Sequence, residues 1–298
     1  MTATDSQTSV VIATRNRRTE LLRTLGKLRE LQPRPPIIVV DNASEDGTPH
    51  AVAEQHPQVS LIRSPRNLGA VARNVGCLGA STPYVAFCDD DSWWDPAALP
   101  LAEKVFAEHP EIGLIAARTL VGEQQHPDPV NELMAHSPLD AAAHLPGPRV
   151  LGFTACSAVV RRKAFSDVNG FNPVLFFVAE EKMLAYDLAA NGWDLIYLSD
   201  AVAHHHPSGE RSGSDQRLTL ERRNNLLISW MRRSPGSALV HTGRIAREAA
   251  REATSRRAIL SALPRLPRAL LRRRRLPARV EREVTMLENT PGTVPHHG

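Results

Sequence analysis

The 298-residue chain is predicted to be an α/β protein, with a doubly wound, mostly parallel sheet flanked by helices and a C-terminal Arg-rich helical extension. Three observations predict this. Short continuous apolar runs alternate with segments of helical periodicity, which marks βαβ units whose parallel strands are buried on both faces. Several of those runs end in Thr, Asp or Asn, as strands do when they feed polar side chains into the crevice of an open α/β sheet. Charge also divides along the chain. Residues 1–210 carry 17 Lys+Arg against 25 Asp+Glu, whereas residues 211–298 carry 19 Arg, no Lys and 7 acids, so an acidic body precedes a basic tail.

The elements follow in order. Ser9-Val10-Val11-Ile12-Ala13-Thr14 is a β-branched run, after which Leu21, Leu22, Leu25 and Leu28 recur at helical spacing. Pro35-Pro36 stops that helix, and Ile37-Ile38-Val39-Val40 is a second strand ending in Asp41. A turn, Asn42 to Thr48, leads to a helix near 49–55. Val59 to Arg63 is a third strand, Leu68 to Ala80 a helix, and Tyr84 to Cys88 a fourth strand that delivers Asp89-Asp90-Asp91 to the sheet edge. Beyond Pro96 come a helix to about His109 and a strand, Ile112 to Ala116. Residues 122–149 are rich in Pro, His and Gly and lack periodicity; a loop that long is often functional. Val150 to Val160 reads as strand. Glu180 to Ala190 reads as a helix closed by Asn191-Gly192, and Trp193 to Leu198 as a strand before His204-His205-His206-Pro207. From Asp215 the pattern is helical, broken into short segments by Pro264, Pro267 and Pro277, with a frayed end expected beyond about 285.

Several function classes lack their signatures. There is no Gly-x-Gly-x-x-Gly and no Walker-type Gly-Lys-Ser/Thr loop. The first residues show no basic stretch followed by an apolar one, and no apolar run approaches the ~18 residues of a spanning helix. Cys77, Cys88 and Cys156 are odd in number and widely spaced. They are expected to be reduced core thiols of a cytoplasmic protein rather than a disulfide frame or a zinc site.

The chemistry concentrates at the strand ends: Thr14-Arg15-Asn16-Arg17, Asp41-Asn42 and Asp89-Asp90-Asp91. Three adjacent carboxylates repel one another unless a cation or hydrogen-bond donors neutralise them, and an oxygen donor set suits Mg2+ or Mn2+. The bland alternative is an acidic turn or a helix cap at Asp91 or Ser92, with Asp41 as an Asx-turn residue. In a doubly wound sheet, however, the three segments lie side by side in one crevice, where they could hold a nucleotide and a metal bridging its diphosphate.

This ordered set resembles the family 2 glycosyltransferases of GT-A fold. The matching segments are Val10 to Arg17, Val39 to Thr48, Arg66-Asn67-Leu68-Gly69-Ala70-Val71-Ala72-Arg73-Asn74-Val75-Gly76 and Cys88 to Trp94, and the likeness runs from about 9 to about 235. It implies a catalytic domain over 1–214, with a nucleotide-sugar half at about 9–118 and an acceptor half at about 119–214. A helical extension over 215–284 and a disordered tail over 285–298 would follow. It further implies that Thr14 and Asp41 contact the base, that Arg15 belongs to the nucleotide-sugar site, and that Arg73 and the Asn67–Asn74 segment face the diphosphate. Asp89 and Asp91 would occupy the Asp-x-Asp positions at the metal, with Asp91 the favoured ligand, and Asp89 or Asp90 would contact the ribose. Glu181 falls where the family places its catalytic Asp, and Glu180 precedes it, so either could be the base; a carboxylate opposite the leaving group suits deprotonation of an acceptor hydroxyl. The bland role for both is to complement a helix N-terminus, for roughly 0.3–1 kcal/mol each. One of His204, His205 and His206, with His205 favoured, would near the metal.

The activity implied is metal-dependent, inverting hexosyl or deoxyhexosyl transfer from a UDP- or dTDP-type sugar to a glycan or lipid-linked hydroxyl. The alternative is a non-catalytic nucleotide-sugar or nucleic-acid binding protein on a degenerate form of that fold. The Arg pairs of the tail, interleaved with Leu, Ile and Trp, suit an amphipathic surface on an anionic membrane. They also suit a nucleic-acid face or a helical cap. The membrane reading gains weight from the resemblance, whose acceptors are often lipid-linked or envelope glycans, and it would place the protein peripherally on the inner face of the membrane.

Overall fold

Alternating apolar runs and helices build one mixed sheet in the computed structural model, which describes residues 6–140, 142–207 and 214–290. The first half runs β1 (Thr8–Thr14), α1 (Arg18–Leu28), β2 (Ile37–Asp41), α2 (Thr48–Gln55), β3 (Ser60–Arg63), α3 (Val71–Gly79) and β4 (Tyr84–Cys88). Next come β5 (Ser92–Trp94), α4 (Ala98–Glu108), β6 (Ile112–Val121), β7 (His126–Pro127), α5 (Pro129–Ala135), β8 (Ala158–Arg161) and α6 (Arg162–Asp167). The last part is α7 (Glu180–Ala190), β9 (Asp194–His205), α8 (Ser214–Arg232), α9 (Pro235–Ala249), α10 (Ala253–Ala262), α11 (Leu266–Leu271) and α12 (Ala278–Asn289).

The strand order is β3-β2-β1-β4-β8-β6-β9-β5, with β7 on β6. Six strands, β1 to β4 with β6 and β9, point the same way, and β5, β7 and β8 oppose them, so the sheet is mostly parallel. Alternate residues of each central strand enter opposite cores. Val11, Val40, Val85 and Phe87 face one, whereas Val10, Ile12, Val39 and Ala86 face the other. α1 covers the second face with Leu21, Leu25 and Leu28. α3 lies so close to the first that a Cβ on Gly76 would overlap the Val11 side chain.

Four expectations are corrected. First, β9 does not end at Leu198; it bends at a β-bulge and continues alongside β6 through His204 and His205. Second, Val150 to Val160 is not one strand. Only Ala158–Arg161 pairs between β4 and β6, after a 3-10 turn over Ala155–Ser157. Third, the segment 122–149 carries β7 and α5, the helix being started by Pro129 and by the Asp128 carboxylate, which accepts from Val130 N. Fourth, regular structure passes residue 285, because Val284 anchors α12 in the core and the helix continues to Asn289; the rest of the expected disordered tail, 291–298, lies outside the described residues.

The extension joins the main core rather than merely touching it. Leu226, Leu227, Ile228 and Met231 of α8 are buried in the same cluster as Phe87 and Leu184. Arg232 forks onto Asp187 of α7, with Nη2 2.9 Å from Oδ2. Arg233 reaches Glu281 and Glu288 of α12. Residue 214 therefore starts a helix but does not mark a break in the core.

Candidate active site

Parallel pairing sets the strand ends in one row. Ile12 stands beside Cys88 and Thr14 beside Asp41, so the residues after β4 meet those after β1 and β2. Thr14 Oγ1 donates to Asp90 Oδ2 at 2.8 Å. Arg17 spans two carboxylates, with Nε 3.2 Å from Asp90 Oδ1 and Nη2 2.8 Å from Asp91 Oδ2. Burial pushes the Asp90 carboxyl up to about 7 against the pull of Arg17. Arg15 is exposed, whereas Arg17, named only as part of the first strand-end segment, organises the triad.

Asp41 is buried. Its Oδ2 accepts from Ser44 N at 3.3 Å, but its Oδ1 has no hydrogen-bond partner. Neighbouring Asn42 clamps the next loop by donating to Gly69 O and accepting from Leu68 N. Asn67 Oδ1 accepts from Gly69 N inside that loop, and Asn74 pairs with both backbone groups of Phe171. These two Asn side chains therefore hold backbone and fix the shape of the segment.

Arg73 turns inward. Its Nη2 lies 2.5 Å from Asp89 Oδ1 and its Nη1 3.9 Å from Glu180 Oε1, with the guanidinium 5.7 Å from the Phe171 ring centre. Burial opposes its charge, but Asp89, Glu180 and Glu181 outweigh that and raise its pKa. Glu180 is only 2 % exposed, and its Oε2 has no partner. Burial, then the neighbouring Glu181 charge, pushes its pKa well above the usual carboxylate range. Glu181 is less buried, and desolvation raises its pKa too.

Strand register resolves the three histidines. Ser92 of β5 pairs with His205 of β9, which brings His205 Nε2 within 3.3 Å of Asp91 Oδ1. His204 and His206 point the other way along the strand and pack on Trp93, at 5.6 and 4.6 Å between ring centres. The ligating atoms of Asp89, Cys156 and His205 all lie within 4.8 Å of one another. One carboxylate, one thiol and one imidazole therefore converge, with the Asp91 carboxylate 3.3 Å from His205 beside them, a group of donors that could hold a metal ion. Nothing in the sequence around Cys156 marks it as more than a core thiol. It is fully buried and reaches this cluster through the 3-10 turn at Ala155–Ser157.

A strap precedes α7. Phe176, Val178 and Ala179 have φ values of 70°, 73° and 61°, an unfavourable region for bulky and β-branched residues. Asn224 of α8 holds it by donating to Phe177 O at 2.8 Å and Val178 O at 2.6 Å, while Ala70 N donates to Phe176 O at 2.7 Å. A Cβ on Gly69 would overlap that carbonyl. Behind the strap, Glu180 and Glu181 line a cavity of about 310 Å³ bounded by α5, α7, α8 and α12.

A parallel sheet whose strand ends gather acids, an imidazole and a buried Arg–Glu pair in this way is that of a GT-A glycosyltransferase. The chain belongs to glycosyl transferase family 2, whose sequence model matches residues 9–168. It is 27% identical over 230 residues to the N-acetylglucosaminyl-diphospho-decaprenol L-rhamnosyltransferase of Mycobacterium tuberculosis, covering 66% of this chain and 75% of that one. It is 32% identical over 210 residues to the pre-mycofactocin glycosyltransferase of the same organism, covering 66% of this chain but only 42% of the relative. Among solved structures it is similar to the mannosyltransferase PcManGT from Pyrobaculum calidifontis in complex with GDP-Man and Mn2+. The TM-score there is 0.59 and the identity 20%, over 97% of this chain and 78% of that one. It is also similar to S. aureus TarS 1-349 in complex with UDP-GlcNAc, at TM-score 0.56 and 17% identity over 74% and 66% of the two chains.

Proposed function

We propose that this glycosyltransferase moves a hexosyl or deoxyhexosyl group, with inversion, from a UDP- or dTDP-type sugar to a hydroxyl of a glycan or lipid-linked acceptor. The carrying observation is that Arg73 links two acidic groups, with Nη2 on Asp89, which clusters with His205 and through it neighbours Asp91, and Nη1 3.9 Å from Glu180 at the start of the helix that also carries Glu181. The relative that acts as a rhamnosyltransferase on a diphospho-decaprenol supports the acceptor class.

Each residue has a task. Asp41, buried and with its Oδ1 unpartnered, is the acid assigned to the base N–H. Asp90, fixed by Thr14 and Arg17, or Asp89, fixed by Arg73, would contact the ribose. Asp91 and His205, with Asp89, would hold Mg2+ or Mn2+, which when bound neutralises charge on a departing diphosphate. Arg73 keeps Asp89 and Glu180 from repelling each other. Glu181 is the base, because Glu180 is sealed against Arg73 whereas Glu181 is more accessible. It takes the acceptor proton as the new bond to the anomeric carbon forms and the bond to the diphosphate oxygen breaks.

No helix among the described residues is long and apolar enough to cross a membrane. Exposed Leu263 and Leu271 lie among exposed Arg268, Arg272 and Arg274, a mixture that supports peripheral contact with an anionic lipid surface.

Asp91→Asn tests the site. Nucleotide release from a panel of nucleotide sugars with Mn2+ should be abolished while circular dichroism is unchanged. Near-normal release by the variant would rule out the metal role. Salt-sensitive nucleic-acid binding with no response to any nucleotide sugar would favour a non-catalytic protein.

A further inference from the structure

The cavity behind the strap carries information on the acceptor. Its inner wall is apolar. Leu133 and Met134 come from α5, Leu151 and Phe153 from the segment before the 3-10 turn, and Leu287 from α12. Phe177 of the strap lines it while 46 % exposed, which leaves a ring face for a ligand. The volume of about 310 Å³ is at the small end of pockets that bury most of a compact organic ligand.

Acids outnumber cations in the cavity lining, although Glu180 is held against Arg73 and its carboxyl is pushed up by burial. Glu180, Glu181, Glu221 and Glu288 contribute to the lining, against Lys182 and Arg217. The Lys182 ammonium is bonded to Asn225 Oδ1 at 3.1 Å. Arg217 is exposed and stands one helical turn from Glu221. Arg233 reaches Glu288 from outside the lining and engages a single carboxylate there. A diphosphate entering this space would have to displace Glu181 and Glu221 from the neighbourhood of Lys182 and Arg217, two cations on different helices, whereas a neutral apolar group would cover Leu133, Phe177 and Leu287 at no such cost.

Resting on the transferase reading above, we infer that the part of the acceptor next to its reactive hydroxyl is neutral and apolar-bearing, such as an alkyl or aryl glycoside or a deoxysugar, and that it is seated in this cavity against α12. The extension is thus a specificity element: α8 and α12 complete a pocket that the sheet alone leaves open. Any anionic carrier group must lie outside the cavity.

The test uses the full-length chain in metal-free buffer, so that no phosphate is captured by a metal at Asp91. Titration calorimetry compares n-octyl β-D-glucopyranoside below its micelle concentration with methyl β-D-glucopyranoside and with n-octyl phosphate. The octyl glucoside should bind at least tenfold more tightly than either; tenfold corresponds to 1.4 kcal/mol, about two buried methylenes. Leu133→Asp and Leu287→Asp should each weaken it at least tenfold. Glu221→Arg supplies a gain that loss of folding cannot mimic: octyl phosphate should bind at least fivefold more tightly than to the wild type. Equal binding of octyl phosphate and octyl glucoside to the wild type would overturn the inference, as would failure of Glu221→Arg to improve octyl phosphate. A separate thermal-shift arm with UDP or dTDP and Mn2+ reports the donor site. Its response with no octyl glucoside preference defeats the acceptor inference alone, and its absence defeats the transferase reading.

Discussion

Removing Arg73 tests how the active centre tolerates its acids. In Arg73→Met the 2.5 Å contact to Asp89 and the 3.9 Å contact to Glu180 disappear, and an almost fully buried carboxylate loses its counter-charge. Deleting one partner of a buried pair costs about 3–5 kcal/mol. Unfolding entropy of about 2.1 cal/mol/K per residue gives about 0.6 kcal/mol/K for 298 residues, so Tm should fall by about 5–8 °C. The loss should also depend on pH. Without Arg73 the folded-state pKa of Glu180, already raised by burial, rises further above its unfolded value. A raised carboxylate pKa contributes stability that is present at low pH and lost as pH rises through the folded value. The deficit relative to wild type is therefore largest at pH 7.5 and smaller at pH 5, and adding Glu180→Gln should recover at least ~1 kcal/mol at pH 7.5. Urea denaturation of the four proteins of the double-mutant cycle at both pH values is the assay. A loss below ~1 kcal/mol, or one that does not vary with pH, would refute the reasoning.

Three more outcomes are expected. Burial, with Arg244 and Lys182 nearby, pushes His241 down to about 4, so its contribution is present above its unfolded value and lost as pH falls towards 4. Wild type should lose about 2 kcal/mol through this group between pH 7.5 and pH 5, a slope that His241→Gln lacks; identical urea profiles would contradict it. Gly69→Ala places a Cβ at φ +60° against the Phe176 carbonyl, so it should cost at least the ~1–2 kcal/mol of a left-handed backbone; an unchanged denaturation midpoint would show that the strap does not press on Gly69. Arg272, Arg274 and Arg275 changed to Ser should lower co-sedimentation with anionic but not neutral liposomes, Arg273 being spared because it donates to the carbonyls of Trp230 and Arg233; equal recovery on both lipids would refute the membrane surface.

β1, β2 and β4 were legible because they are buried on both faces and announce themselves as continuous apolar runs, ending in the candidate site residues Thr14, Asp41 and Asp89 to Asp91. Glu180 was visible at a helix start for the same local reason. Long-range pairing was not legible. His205 is singled out over its neighbours by the register of β9 against β5, and β5 is three residues long and reads as part of an acidic turn. Cys156 reaches the acids through a 3-10 turn inside what looked like a strand. The extension looked like a basic appendage because its charge dominates its composition. Arg232 and Arg233 are in fact spent on Asp187, Glu281 and Glu288, partners distant in sequence. Asp128-Pro129 did carry a local signal for α5, a cap followed by proline at the first helical position, hidden within a stretch poor in periodicity.

The central claim is that Glu181 removes the acceptor proton in a site that binds a nucleotide sugar independently of it. Glu181→Gln keeps the shape and removes the base. With the donor identified by nucleotide release, the variant should show the wild-type thermal shift with donor and Mn2+, while single-turnover transfer falls by about 10²–10⁴-fold, the usual contribution of a positioned base. Transfer within tenfold of wild type by a variant that binds donor normally would contradict the claim and pass the role to Glu180.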